Sequence, residues 1–148
     1  MSLLCPCGSN LPYHSCCELL HKGQEAISPD ALMRSRYSAF VLHDIEYLLQ
    51  SWHPSTRPEA LQLDEGSQWL KLSVLGSEQQ ESKGRVHFKA YVKDGNELFM
   101  LEEDSSFVFE NGHWLYVDGQ TQFDKINLKR NDECLCGSGK KFKKCCSS

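Results

Sequence analysis

Apolar residues recur every three and four positions through the first third of the chain, and alternate through the last half. Leu32, Met33, Arg36, Tyr37, Phe40 and Val41 fall on one helical face, apolar apart from the arginine. Ser28-Pro29-Asp30 predicts the start of that helix: a capping serine, proline at the first helical position, then an acid in the first turn. His43-Asp44 interrupts the pattern. Ile45, Leu48, Leu49 and Trp52 then predict a second helical stretch, which His53-Pro54 ends, because the residue before proline avoids helix. Residues 55–67 are polar, contain Pro58 and Gly66, and predict a loop or short helix.

From Trp69 the period changes toward two. Trp69 to Leu75 predicts a strand. Val86, Phe88, Ala90 and Val92 alternate with Arg85, His87, Lys89 and Tyr91, which predicts a half-buried strand. After Asp94-Gly95, Leu98 to Leu101 opens another. Phe107-Val108-Phe109 and Trp114 to Val117 flank Asn111-Gly112, a two-residue hairpin turn. That register sets Phe109 against Trp114 and Phe107 against Tyr116, pairs that stabilise a sheet by roughly 0.2–1 kcal/mol each. Helices followed by a curved antiparallel sheet define an α+β domain.

The two ends of the chain follow a different rule. All eight cysteines lie there, in two copies of one spacing. Cys5-Pro6-Cys7 is followed after eight residues by Cys16-Cys17, and Cys134-Leu135-Cys136 after eight residues by Cys145-Cys146. Gly137 corresponds to Gly8, Ser138 to Ser9, and Phe142 to Tyr13. Four thiolates at short fixed spacing suit a tetrahedral zinc ion. The middle of the chain has no cysteine for a disulfide framework, and adjacent cysteines are awkward disulfide partners. Four thiolates also suit iron, and the sequence leaves that choice open.

Ser9 and Ser138 are candidate helix caps, and Gly8, Gly137 and Gly139 permit a tight turn, with Asn10 taking a similar backbone geometry. Tyr13 and Phe142 are candidates for the small apolar core of each unit. Units this small need the metal for their stability. A complete set of four thiolates leaves no open coordination position, so neither site is expected to be catalytic. His14, beside Cys16, is either a replacement ligand or a solvent-exposed side chain. The expected organisation is a zinc knuckle at 1–27, a central domain at 28–128 and a second knuckle at 129–148, carrying two zinc ions in all.

The 148 residues carry a formal charge of −4, unevenly spread. The central segment holds nine basic and sixteen acidic side chains, the last twenty residues six and two. An acidic centre is a poor nucleic-acid surface. Lys129, Arg130, Lys140, Lys141, Lys143 and Lys144 form the basic cluster. That cluster either compensates thiolate charge or contacts an acidic protein or RNA phosphates. Met1-Ser2-Leu3-Leu4-Cys5 offers neither a charged leader nor a long apolar stretch, and no membrane span is expected. A cytoplasmic location follows as an expectation.

Cys134-Leu135-Cys136-Gly137-Ser138-Gly139-Lys140-Lys141-Phe142-Lys143-Lys144-Cys145-Cys146 resembles the SEC-C motif of the SecA C-terminal tail. There the motif binds zinc and contacts the chaperone SecB and the ribosome. The chain as a whole resembles the YchJ family of bacterial proteins. Leu4 to Ser9, Leu32 to Phe40, Ser51 to Pro54, Trp114 to Gly119 and the C-terminal knuckle carry that resemblance. It implies a nuclear transport factor 2-like (cystatin-like) central domain, a cone whose curved sheet wraps a long helix. It implies zinc, and no established reaction.

Such a cone often opens on a pocket. Arg36, Tyr37, Trp52, His53, Trp69, His87 and Tyr91 are candidates to line it. The aromatics are either core or ligand cage. Arg36 needs an anionic partner, either Glu102 or Glu103 or an acidic ligand. His53 or His87 can serve as a general base, but no catalytic constellation surrounds either. Two functions stand. One is a protein- or ribosome-interaction module acting through the knuckles. The other is a small-molecule-binding protein or enzyme using the cone, its ligand unspecified. A third reading gives the knuckles only the task of pinning the chain ends to the domain.

Overall fold

The computed structural model describes residues 4–63 and 67–126. A single 3-10 turn, Tyr13–Ser15, precedes three helices: α1 (Cys17–His21), α2 (Pro29–Leu42) and α3 (Ile45–Gln50). Four strands follow, β1 (Ser67–Gln80), β2 (Lys83–Asp94), β3 (Glu97–Glu110) and β4 (His113–Ile126). They form one antiparallel sheet in the order β1-β2-β3-β4. The predicted α+β class is the observed one.

Local chemistry sets the helix ends. Ser28 Oγ accepts the Ala31 N–H at 3.1 Å, and Pro29 occupies the first turn. His43 takes a left-handed conformation (φ 59°) that stops α2. Asp44 Oδ1 then accepts the Tyr47 N–H at 3.1 Å and caps α3. The second helix is shorter than the sequence predicts. Trp52 lies beyond its end and forms a parallel bridge to Tyr116. The Ser51 carbonyl accepts the Tyr116 N–H at 2.9 Å, and the Tyr116 carbonyl accepts the His53 N–H at 2.7 Å. Pairing with β4 therefore captures the segment that periodicity assigned to helix.

Register shifts at Trp69/Lys71 and Val74/Gly76 in β1, and at Val117 of β4 opposite Ser106/Phe107, bend the sheet. Leu32, Met33 and Tyr37 of α2 pack on its inner face against Leu72, Val86, Phe88, Ala90, Phe107 and Trp114. Helix and sheet approach closely at Gly84: a Cβ there would lie 2.3 Å from Pro29 Cγ. The hairpin register is as predicted, with Phe109 opposite Trp114 and Phe107 opposite Tyr116. Their ring centroids are 5.3 and 5.7 Å apart.

The strand that Leu98–Leu101 opens runs on through Phe107–Phe109 as one strand, β3. The polar run between them is accommodated on both faces. Glu102 and Asp104 point outward and pair with His87 (2.6 Å) and Arg85 (2.5 Å) of β2. Glu103 lies on the inner side and accepts hydrogen bonds from Ser105 and Tyr116.

Candidate metal centre and cone pocket

The N-terminal cysteines converge through two short turns. Leu4 bridges Pro12, and the Leu11 carbonyl accepts the Cys5 N–H at 2.8 Å. Gly8 (φ 86°) and Asn10 (φ 66°) take the left-handed geometry this reversal needs. The Tyr13 carbonyl accepts the Cys16 N–H at 3.0 Å, and α1 begins at Cys17. The sulfurs of Cys5, Cys7, Cys16 and Cys17 consequently lie within 4.8 Å of one another. Cys7 and Cys16 are 3.7 Å apart, Cys16 and Cys17 4.0 Å. Zinc–sulfur bonds of about 2.3 Å give a tetrahedron with edges of about 3.8 Å, so the donor set fits the ion. All four are free thiols, three of them buried. Cys134, Cys136, Cys145 and Cys146 lie outside the described residues.

Ser9 does not cap a helix. Its hydroxyl sits in the turn, where it accepts the Leu11 N–H at 3.2 Å and lies 3.2 Å from the Cys16 sulfur. The first helical turn starts only after Pro12, too far along for Ser9 to reach. Tyr13 packs against the cysteines as expected, and its hydroxyl also meets His21 Nδ1 at 2.6 Å. His14 is exposed and stands outside the sulfur group.

One face of α2 receives this knuckle. The Cys7 carbonyl accepts from Arg34 Nη1 at 3.0 Å. The Ser35 carbonyl accepts from His21 Nε2 at 2.8 Å, which leaves His21 Nδ1 to accept from Tyr13. Ser38 Oγ lies 3.4 Å from the Cys5 sulfur. The thiol of Cys5 is held well below its ordinary range, chiefly by hydrogen bonding from Cys17, then from Cys7, with burial opposing. Cys17 is pushed far up by that same bond to Cys5, by its bond to Cys7 and by burial. A dication would bind all four sulfurs as thiolates and expel the protons they share.

Arg36, Tyr37 and Trp52 do line a common pocket of about 260 Å³, together with Trp69. Met33 and Phe40 of α2 and Phe88, Ala90 and Leu101 of the sheet supply apolar walls. Glu103 and Tyr116 supply the remaining polar atoms. His53 and His87 are not in it. His87 occupies the outward side of β2 and pairs with Glu102, because strand alternation turns it away from Val86 and Phe88. Tyr91 shares that outward side. His53 follows α3 on the rim of the sheet, with Nε2 bonded to Glu110 and Nδ1 2.7 Å from the Ser55 hydroxyl. Neither glutamate offered as a partner bonds Arg36; the guanidinium instead meets the Leu48 carbonyl and the Ser51 hydroxyl. Sequence reasoning named Glu103 only as a partner for Arg36 and missed Tyr116, although the Phe107–Tyr116 pairing already set Tyr116 on the inner face.

This architecture defines a class: an NTF2-like α+β domain with a cysteine knuckle packed on its long helix. The family model described as "YchJ, middle NTF2-like domain" matches residues 28–119, and the SEC-C motif matches residues 1–19 and 130–148. The chain belongs to the YchJ family, whose members carry the designation UPF0225. A UPF0225 protein of Vibrio parahaemolyticus is 40% identical, with 99% of each chain covered. One from Vibrio cholerae is also 40% identical, over 96% of this chain and 98% of its own. A SEC-C motif containing protein from Rhodopseudomonas palustris, solved in solution, superposes with a TM-score of 0.71 at 36% identity. That match covers 80% of this chain and 98% of the other. The crystal structure of a SEC-C motif containing protein from Psychrobacter arcticus gives 0.68 at 30% identity, over 97% and 94%. No helix among the described residues is long and apolar enough to cross a membrane.

Proposed function

We propose that this chain is a zinc-binding interaction protein whose two SEC-C knuckles dock a protein or ribosomal partner, the cone serving as their scaffold. The observation that carries the reading is the closed set of four sulfurs at Cys5, Cys7, Cys16 and Cys17. Four thiolates saturate zinc and leave no position for a substrate, which favours a structural ion that shapes a surface. The knuckle is fixed from behind by Arg34, Ser35 and Ser38. Leu11, Leu19 and Ile27, exposed at 50%, 40% and 86%, line a groove beside it. Exposed apolar residues gathered in a groove are a common feature of interaction surfaces.

The test is co-sedimentation of the full chain with purified ribosomes, run beside affinity isolation of bound proteins. Retention that falls in the Cys16→Ser/Cys17→Ser and Cys145→Ser/Cys146→Ser variants supports the reading. No association with ribosomes, together with an identical set of captured proteins for wild type and both variants, would rule it out.

A further inference from the structure

Arg36 is a buried cation with only part of its donor set in use. It is 3% exposed. Nη1 donates to the Leu48 carbonyl at 2.8 Å and to the Ser51 hydroxyl at 2.6 Å. The guanidinium carbon lies 4.5 Å from the Tyr116 ring centroid and 5.1 Å from that of Trp52. These contacts fix the group in place and orient it. Among the described residues, no carboxylate forms an ion pair with it, and Nε and Nη2 have no hydrogen-bond partner. Asp30 Oδ1, which faces Arg34 Nε at 3.3 Å, is the one fully enclosed side-chain polar atom without a hydrogen bond among those residues. The free edge of Arg36 is therefore not sealed in protein; it opens on the pocket that Arg36 lines. Glu103, the acid of that pocket, already accepts from Ser105 and, at 3.2 Å, from the Tyr116 hydroxyl.

We propose that the cone binds a small organic acid: one carboxylate on a compact apolar body. An Nε–Nη2 edge is the planar fork that receives two carboxylate oxygens side by side. A buried guanidinium without an anion is costly, and a ligand carboxylate removes that cost. Phe40, Phe88, Leu101 and Trp69 supply the surface for the body. At about 260 Å³ the space lies just under the usual range for ligand sites of about 300–1,000 Å³. A single-ring acid fits that volume; a nucleotide or a long acyl chain does not. This inference is independent of the metal centre.

The experiment titrates the full chain with phenylacetate and, separately, with uncharged phenylacetamide, following the fluorescence of Trp52 and Trp69. Phenylacetate is expected to saturate and to bind at least tenfold more tightly than the amide. Arg36→Met keeps a flexible apolar stem and removes the guanidinium fork, so the preference for the acid should vanish while amide binding stays. Glu103→Gln removes a neighbouring negative charge, so the acid should bind threefold or more tightly and the amide unchanged. Equal binding of acid and amide overturns the proposal, as does a lack of saturation by either, or a preference that survives in Arg36→Met. Should circular dichroism show Arg36→Met unfolded, Glu103→Gln decides: unchanged or weaker acid binding overturns it.

Discussion

The Ser38 hydroxyl, wholly buried in the middle of α2, lies 3.4 Å from the sulfur of Cys5. A helix of the central domain thus hydrogen-bonds a cysteine of the terminal knuckle. Second partners of this kind orient a ligand, and their loss typically weakens metal binding about tenfold or more. Ser38→Ala should lower zinc affinity by about that factor. Competition against a chromophoric chelator measures it, and an unchanged affinity would reduce Ser38 to a packing residue.

Because Arg34, Ser35 and Ser38 all hold the knuckle, metal removal should be felt in the cone. Metal that binds only the folded chain stabilises it by mass action, by about 4 kcal/mol at a thousandfold excess over Kd. Chelation should therefore lower the Tm read from sheet circular dichroism by at least several degrees. A melting curve that ignores the chelator would show the knuckle and the cone to be energetically separate.

Two glycines differ in what stands over them. A Cβ at Gly84 would meet the Pro29 ring, at 2.3 Å from Cγ, and Pro29 is fixed at the start of α2. A Cβ at Gly119 would meet the Glu103 side chain, at 2.5 Å from Oε2, which can swing away. Gly84→Ala should cost about 1–3 kcal/mol, the usual range for overpacking. Gly119→Ala should cost less, and should loosen Glu103 from Tyr116. Urea unfolding of both variants checks the order; a larger loss at Gly119 reverses the assignment.

Alkaline pH should unfold the protein early. Burial holds Tyr13 up at about 12, and it pushes Tyr37, Tyr47 and Tyr116 up as well. Above an unfolded-state value of about 10, the unfolded chain loses phenolic protons that the native chain keeps, so stability falls as pH rises. Below that pH these groups contribute no slope. Arg36, lowered by burial to about 10, has the opposite sign and is one group against four. Midpoints in urea from pH 9 to 11 test this, and a flat profile across that window contradicts it.

Much of the site was legible from residue order alone. The duplicated cysteine spacing identified Cys5, Cys7, Cys16 and Cys17 as one group, and their sulfurs do converge. Asn111-Gly112 fixed both the hairpin and its aromatic pairs. The pocket was only half legible. Arg36, Tyr37 and Trp52 were placed in it with His53 and His87, which belong to the rim and to the outer face. His87 alternates with Val86 and Phe88, so period-two patterning already carried the signal against it.

Sequence by itself determined the α+β class, the helix start at Ser28-Pro29, the hairpin register and the thiolate set. Each follows from interactions within about a dozen residues, where spacing fixes geometry. Tertiary structure alone decided that Ser38 would meet Cys5, that Trp52 would leave its helix to pair with Tyr116, and that Arg36 would keep one edge free. Those outcomes depend on which face of α2 meets the knuckle and which meets the bent sheet. That choice is set by packing between residues far apart in the chain, so local periodicity does not contain it.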